Sequence, residues 1–371
     1  KRKMKKNLRN ILVLAMGLMT TVSFAQDWDV DSRTRIDMSG DNDKMSTDQR
    51  ATLGATWGGS DWGIHISSDV NYTLGNNESA SMSIYEAYAS TDLMGYASVT
   101  AGRQAINNGS GALMSSNDWA ISRTTWDGMT FNLGLDMADI TVGYASMNTG
   151  MSAAIDADTV SGTAAVASAA TDDNGNMWIN ASGEFSGWNV NVLYMTETGM
   201  TKTGPASDNA ATGIDISGEV MGAGVSASMN TDFDGDDMRV IGLSYAVNDD
   251  MGVNVSQTVY SEADLANGLN GFSMDNTNMS GGYTGSGQLG YLNAGDEDLS
   301  YGLTYNIAGI SMGATMHTIT NSVDATIDRS VTEISLGYSL GDNASISYTM
   351  ATDNDGTVDT KYNWLTLTVT P

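Results

Sequence analysis

The sequence predicts an all-β fold, a transmembrane antiparallel β-barrel of about 18 strands, with 16 strands as the alternative count. Three patterns favour this fold. Apolar and small polar residues alternate along most of the chain after residue 26, as in 299–307 and 310–317. The connections between these segments alternate between long and short, and aromatic residues gather beside the short ones.

The two-residue period gives each predicted strand two unlike faces. In the segment 299–307, for example, Leu299, Tyr301 and Leu303 alternate with Ser300 and Gly302. Because successive side chains of a strand point to opposite sides, one face is apolar and the other is small and polar. A closed wall of such strands presents its apolar face to lipid and its polar face to an interior.

The connection lengths distinguish the two ends of the barrel. Consecutive antiparallel strands turn at opposite ends, so alternating lengths put the tight turns at one end and the large loops at the other. Short periplasmic turns and long external loops are typical of outer-membrane barrels. The short connections are predicted at 58–61, 92–95, 134–137, 186, 221, 248–250, 308–309 and 341–342.

Aromatic residues support the same orientation, because amphipathic rings are enriched where a membrane meets water. A soluble β-sandwich also has alternating strands, but its apolar faces would meet in a core and its loops would not be sorted by end. The aromatic residues beside the short turns are Trp28, Trp57, Trp62, Tyr96 and Trp188.

The N-terminal segment 1–25 is predicted to be a secretory signal peptide. It has a basic start, an apolar stretch over 11–22, and small residues, Ser23 and Ala25, at the two positions that a signal peptidase inspects. The apolar stretch is too short to cross about 30 Å of hydrocarbon as a helix. The barrel is therefore assigned to 26–371. Removal of 1–25 takes away six basic residues and no acidic one, so the net charge moves from −28 to −34.

Composition excludes several classes of protein. The chain has 44 acidic against 16 basic residues and no Cys, so disulfides and Cys-ligated metals are excluded. The acidic balance argues against a nucleic-acid partner, which requires a basic face. The two histidines, His65 and His317, are not accompanied by a G-x-S-x-G nucleophile motif, and no enzymatic activity is predicted.

The interior of a barrel with about 18 strands is expected to hold water, since side chains cannot fill it. Parity of the strands turns Arg33 and Arg35 of the first strand inward, with Arg50 of the second, Asp69 of the third and Glu86 of the fourth. Asp215, Glu219 and Glu333 add acidic groups from later strands. Two interpretations stay open for the arginines: they set ion selectivity, or they form salt bridges that steady the wall.

Several short motifs resemble those of Gram-negative outer-membrane porins, including the alginate-export-type porins. The motifs are 99–104 (VTAGRQ), 116–119 (SNDW), Arg123, 126–128 (WDG), 85–88 (YEAY) and 49–50 (QR). The resemblance covers about 28–133 and implies that the third long loop, 105–122, folds into the barrel as a constriction. It also implies that Arg103 and Arg123 join that constriction, although Arg103 would need a bulge to face inward. The predicted pore-lining residues are Arg33, Arg35, Arg50, Asp69, Glu86, Arg103, Asp118 and Arg123.

The expected function is therefore that of a porin, a passive diffusion channel for small hydrophilic solutes or ions in the outer membrane of a Gram-negative bacterium. Charge selectivity would be set by the lumen arginines and the acidic loops. The expected partners are outer-membrane lipid and the solutes; no cofactor is expected, and a monomer and a homotrimer both stay open.

The alternative is an exported acidic surface adhesin or a Ca²⁺-binding β-structural protein. Acidic loops rich in Gly and Asn resemble fragments of oxygen-rich Ca²⁺ loops, without the complete pattern. Asp and Asn are also common at solvated loop tips, where they favour turns. The weak metal candidates are Asp232, Asp234, Asp236, Asp353 and Asp355.

Overall fold

The computed structural model describes residues 25–39, 45–75, 80–116, 118, 121, 123–147, 174–199, 210–233, 235–261, 292, 295–322 and 324–370. Apart from Ala25, the predicted signal peptide lies outside these residues, as does Asp234. Among the described residues, no helix is both long enough and apolar enough to cross a membrane.

In the described part of the chain, eighteen antiparallel strands form the wall, which confirms the expected barrel of about 18 strands. They are β1 (Ala25–Asp37), β2 (Ser46–Gly58), β3 (Trp62–Thr73), β4 (Ser81–Leu93), β5 (Ala97–Gln104), β6 (Trp126–Leu135), β7 (Ala138–Met147), β8 (Asn174–Phe185), β9 (Trp188–Gly199), β10 (Ala210–Val220), β11 (Ala223–Thr231), β12 (Asp237–Asn248), β13 (Met251–Tyr260), β14 (Asp296–Ile307), β15 (Ile310–Asn321), β16 (Asp328–Ser339), β17 (Ala344–Asn354) and β18 (Asp359–Val369).

The sheet closes on itself. Each strand pairs with the strand that follows it, and β1 also pairs with β18, with Ser32 opposite Val369 and Asp37 opposite Trp364. On its other side β1 pairs with β2 along its whole length, from Ala25 opposite Gly58. Closure leaves no unpaired strand edge, as a β structure within lipid requires.

Four of the short turns contain the same pair of backbone conformations; three of them have two residues, and the turn between β4 and β5 has three. Met94, Ser186, Met221 and Ala308 all have positive φ angles, and a glycine with positive φ follows each of them. Two consecutive residues with positive φ make a type I′ turn, whose twist matches that of the strands it joins. These turns explain how the strands reverse within so few residues at one end of the barrel.

The outer face of the wall is apolar. Large apolar side chains are exposed along consecutive strands, among them Leu53, Ile64, Ile66, Phe131 and Tyr194. Trp28, Trp62 and Tyr96 are also exposed near the short-turn end, at the level expected for an interfacial girdle. Exposed apolar side chains on one side of a closed sheet form the surface that meets lipid.

Candidate functional site: the third loop and the lumen wall

The third long loop, between β5 and β6, crosses the interior of the barrel. At its start, the amide of Ala105 donates to a carboxylate oxygen of Glu86 on β4, at 3.0 Å. Its tip reaches β10 and β11, where the hydroxyl oxygens of Ser110 and Ser228 lie 3.2 Å apart. Residue 118 of the loop contacts β1 and β2, which lie opposite β10 and β11 in a ring of 18 strands, so the loop spans the lumen.

Gly109 forms the contact between the loop tip and β10. Its φ angle is +57°, in the left-handed region, and a Cβ atom on it would lie 1.9 Å from Oδ2 of Asp215. Asp215 is itself held by Ser228, whose hydroxyl donates to Oδ1 at 2.6 Å. Only glycine fits such a close approach, so this residue sets how far the loop can reach.

Apolar side chains anchor the loop inside the barrel. Leu113 and Met114 of the loop are fully buried in a cluster that includes Leu193 and Met195 of β9. Cδ1 of Leu113 would lie 3.2 Å from a Cβ atom placed on Gly213 of β10, which shows how closely the loop approaches that wall. Between Gly109 and this cluster, the loop is fixed against β9, β10 and β11.

Sequence reasoning missed this cluster because it expected few bulky residues on the lumen face. Leu193 and Met195 alternate with the exposed Val192 and Tyr194, so their parity already indicates the lumen face. Trp126 of β6 and Trp178 of β8 extend the same cluster, with ring centroids 5.9 Å apart. Apolar residues on both faces of neighbouring strands could have indicated this cluster from the sequence.

Two arginines of the wall converge on Asp118 of the loop. Nη1 of Arg33 and Nη1 of Arg50 donate to the backbone carbonyl oxygen of Asp118, at 2.7 and 2.9 Å. Nη2 of Arg50 also donates to its carboxylate oxygen Oδ1, at 2.9 Å. Arg33 and Arg50 lie directly opposite each other on β1 and β2, which is why both reach the same residue.

Arg123, where the loop returns to β6, is held by a second carboxylate. Its guanidinium donates to both oxygens of Asp69 on β3, at 3.1 and 2.5 Å, and to the hydroxyl of Thr52 at 2.9 Å. Cζ of Arg123 lies 3.3 Å from the ring centroid of Tyr85. A weaker contact of 3.4 Å joins Nη1 to the Asp118 carboxylate.

The charge of Arg123 is well supported in this environment. Burial alone would lower the pKa of its guanidinium, but the hydrogen bond to Asp69 and the attraction of Tyr85, Asp69 and Asp118 raise that pKa above its ordinary value. Its guanidinium makes a cation–π contact with the ring through its planar face and hydrogen bonds to the carboxylate through its N–H groups. Arg123 is therefore a positively charged side chain held in a fixed position beside the loop.

A bulge in β4 brings Tyr85 and Glu86 to the lumen side together. The pairing of β3 with β4 shifts between Ser67 and Ser68, so that Ser67 lies opposite Glu86 and Ser68 opposite Ile84. Tyr85 is the extra residue. Neighbouring residues of a regular strand point to opposite faces, whereas this bulge lets one contact Arg123 and the other the loop start.

Of the eight predicted pore-lining residues, the structure brings six together in or beside this cluster, namely Arg33, Arg50, Asp69, Glu86, Asp118 and Arg123. Arg35 lies two residues beyond Arg33 on the same face of β1, opposite Asp48. The seventh residue therefore belongs to the same wall.

Arg103 lies apart from the other seven, which corrects the expectation that it joins the constriction. It pairs in register with Ala87 and Asp127, on the outer face of β4, β5 and β6. Its guanidinium forms two bonds of 2.6 Å to the Asp127 carboxylate and contacts the carbonyl oxygen of Ile84. The bulge precedes β5 and does not turn Arg103 inward.

The weak metal candidates form no metal cluster in the part of the chain that is described. Asp353 pairs with Arg329, and Asp355 caps a turn by accepting hydrogen bonds from the amides of Thr357 and Val358. Oδ1 of Asp232 accepts from the amide of Asp236 at 3.0 Å. Asp232 and Asp353 are buried, whereas Asp355 is exposed. The three carboxylates therefore have turn and ion-pair roles.

The comparisons with known proteins give the family. The sequence profile of the family "Phosphate-selective porin O and P" matches residues 27–283. The chain belongs to this family. None of the curated proteins matches the sequence.

Solved structures of Pseudomonas aeruginosa porins share the fold of this family member. OccK11 (OpdR) is 12% identical with a TM-score of 0.66, over 93% of this chain and 95% of its own. OpdK is 9% identical with a TM-score of 0.67, over 94% of this chain and 100% of its own. OccD3 (OpdP) is 11% identical with a TM-score of 0.63, over 95% and 92%.

The porin is thus a membrane-embedded channel for small solutes in the outer membrane of a Gram-negative bacterium. Family and fold are those of a channel rather than an enzyme. The matched family supports the porin part of the sequence resemblance and does not support its alginate-export part.

Proposed function

We propose that this porin is a passive diffusion channel that prefers small hydrophilic anions, with the third loop, 105–122, as its constriction. The observation that carries the proposal is the convergence of Arg33, Arg50 and Arg123 on Asp118, beside the loop that crosses the lumen. Rings and patches of charge at a narrow point set the selectivity of a channel. The name of the matched family, phosphate-selective porins, agrees with an anionic solute.

The acidic charge of the whole chain acts against this preference, but over a limited distance. The full sequence carries a net charge of −28, which enriches cations near the mouth. Salt screens such a field over about 8 Å at physiological ionic strength. A solute in the constriction contacts the arginines directly, so the local groups are expected to determine which ion passes.

The test is the reversal potential of the purified channel in a planar bilayer under a KCl gradient. The wild type should give the sign of an anion-preferring channel, and the double variant Arg33→Ala/Arg50→Ala should shift toward cations. Arg239→Ala is the matched control, because this arginine lies on an exposed site paired with Asp237. The register partner of Arg239, Met229, is exposed on the outer face. The Arg239 side chain therefore also lies on the outer face, and its removal leaves the lumen unchanged.

An unchanged reversal potential in the double variant would assign the arginines a structural role and refute the proposed selectivity. A change of conductance alone would mean only that the loop had moved. The oligomeric state, monomer or homotrimer, stays a prediction, which the mass of the purified channel in detergent decides.

A further inference from the structure

The contacts to Asp118 fall into two groups with different consequences. Arg33 and Arg50 bind its backbone carbonyl oxygen, and these contacts hold the chain of the loop against β1 and β2. The carboxylate receives separate bonds from Arg50 and Arg123. Because the carbonyl contacts do not depend on the side chain, the loop has an anchor that would persist without the carboxylate.

The two carboxylates of the cluster differ in exposure. The side chain of Asp69 is 4% exposed and is enclosed by Arg123 and Thr52. The side chain of Asp118 is 67% exposed, although two guanidinium groups contact it. Asp69 is therefore built into the wall, whereas the Asp118 carboxylate is open to solutes in the lumen.

A guanidinium group binds carboxylate and phosphate oxygens with the same planar fork of donors. A small oxyanion that enters the lumen therefore offers Arg50 and Arg123 the same contacts as the Asp118 carboxylate does. Conduction requires binding that is favourable enough for entry and weak enough for exit. A tethered carboxylate at this position would weaken solute binding by competition.

We infer that Asp118 is a specificity-determining residue: its carboxylate occupies an oxyanion position at Arg50 and Arg123, and a permeating oxyanion binds there by displacing it. This inference rests on the proposed anion preference and adds the residue that limits affinity. The exchange breaks the two carboxylate contacts, leaves the carbonyl contacts of Arg33 and Arg50 in place, and involves no covalent step.

Asp118→Asn is the direct test, since it removes the charge and keeps the backbone carbonyl. Inorganic phosphate is the probe, and the concentration that halves the single-channel chloride current is the readout. We expect that concentration to fall at least about fivefold, because one unit charge at about 4 Å changes binding by roughly this factor even in a water-like medium.

Asp127→Asn is the matched control. Asp127 is also a half-exposed carboxylate paired with an arginine, but it lies on the outer face with Arg103. Its replacement should leave the phosphate block unchanged. Asp118→Ala is the second variant, and it should shift the block in the same direction as Asp118→Asn.

The outcomes separate this inference from the proposed function. If Arg33→Ala/Arg50→Ala abolishes the phosphate block while both Asp118 variants retain the wild-type value, the inference is wrong and the anion preference stands. A change in conductance at Asp118 without a change in block would make the carboxylate structural, and would also overturn it. If phosphate blocks none of the channels and the reversal potential does not respond to the arginines, both proposals fall.

Discussion

Replacing Gly109 by alanine should detach the third loop from the far wall of the lumen. The added Cβ atom would lie 1.9 Å from Oδ2 of Asp215 and 2.6 Å from Nδ2 of Asn191. Because Asp215 is held by Ser228, it has little freedom to turn away. The loop tip should therefore move instead, and a gap should open between the tip and β10.

The structure sets the size of this movement. Contacts of a Cβ atom below 3.0 Å are essentially never seen, so the 1.9 Å approach requires a separation larger by at least about 1.1 Å. The left-handed φ of +57° adds a backbone cost of about 1–2 kcal/mol for any residue with a Cβ atom. Single-channel recording in planar bilayers should show a higher conductance and more frequent transitions between current levels.

Gly111→Ala is the matched control for the backbone cost. Gly111 has a φ of +80° in the same loop, but the closest atom to its added Cβ, Cβ of Ser115, lies at an ordinary 3.4 Å. The double variant Gly109→Ala/Asp215→Ala removes the nearer of the two obstructing side chains and leaves Nδ2 of Asn191 at 2.6 Å, so conductance should fall part of the way back toward that of Asp215→Ala alone. If Gly109→Ala matches Gly111→Ala, or if the double variant gives no recovery, the contact with β10 does not position the loop.

Three further predictions follow from the loop and its anchors. Deletion of 107–116 should raise conductance in planar bilayers, because it removes the tip and the apolar anchor; an unchanged value would remove the constriction assignment. Arg123→Leu leaves the Asp69 carboxylate buried without its arginine partner. It should lower the free energy of unfolding by about 3–5 kcal/mol, measured by guanidinium titration of the detergent-solubilised channel. Asp69→Asn/Arg123→Leu should recover part of this stability, and the control Arg239→Leu should lose none. Leu113→Ala should weaken the loop anchor by about 2–5 kcal/mol, seen as faster fluctuations of the current; a recording as steady as that of the wild type would contradict the role of the buried cluster.

The wall of the barrel could be predicted from local pattern because each strand obeys the same rule. A side-chain period of two and an alternation of loop lengths are properties of short segments, and membrane closure imposes both along the whole chain. The type I′ turns at Met94, Ser186, Met221 and Ala308 are equally local, since each needs only two residues with positive φ. Because these features repeat along the chain, a strand with a weak pattern can still be predicted from the strands and turns on either side of it.

The position of Arg103 contradicts the expectation that came from the resemblance. To face the lumen, Arg103 would need a bulge within β5, because one extra residue inverts the faces that follow it. The bulge lies instead at Tyr85 in β4 and leaves the register of β5 regular. Arg103 therefore pairs with Ala87 and Asp127 on the outer face.

The path of the third loop depends on residues that are far apart in sequence and carry unlike signals. Its base requires Arg33, Arg50 and Asp69, and its tip requires Gly109 and Asp215. The charges at the base are visible in the sequence as an inward patch on adjacent strands, whereas a glycine at a tip is indistinguishable from a glycine in any turn. Because the tip contact is decided by steric fit across the lumen, it follows only from the positions of β5 and β10 in the same ring, which the pattern of a single strand does not give.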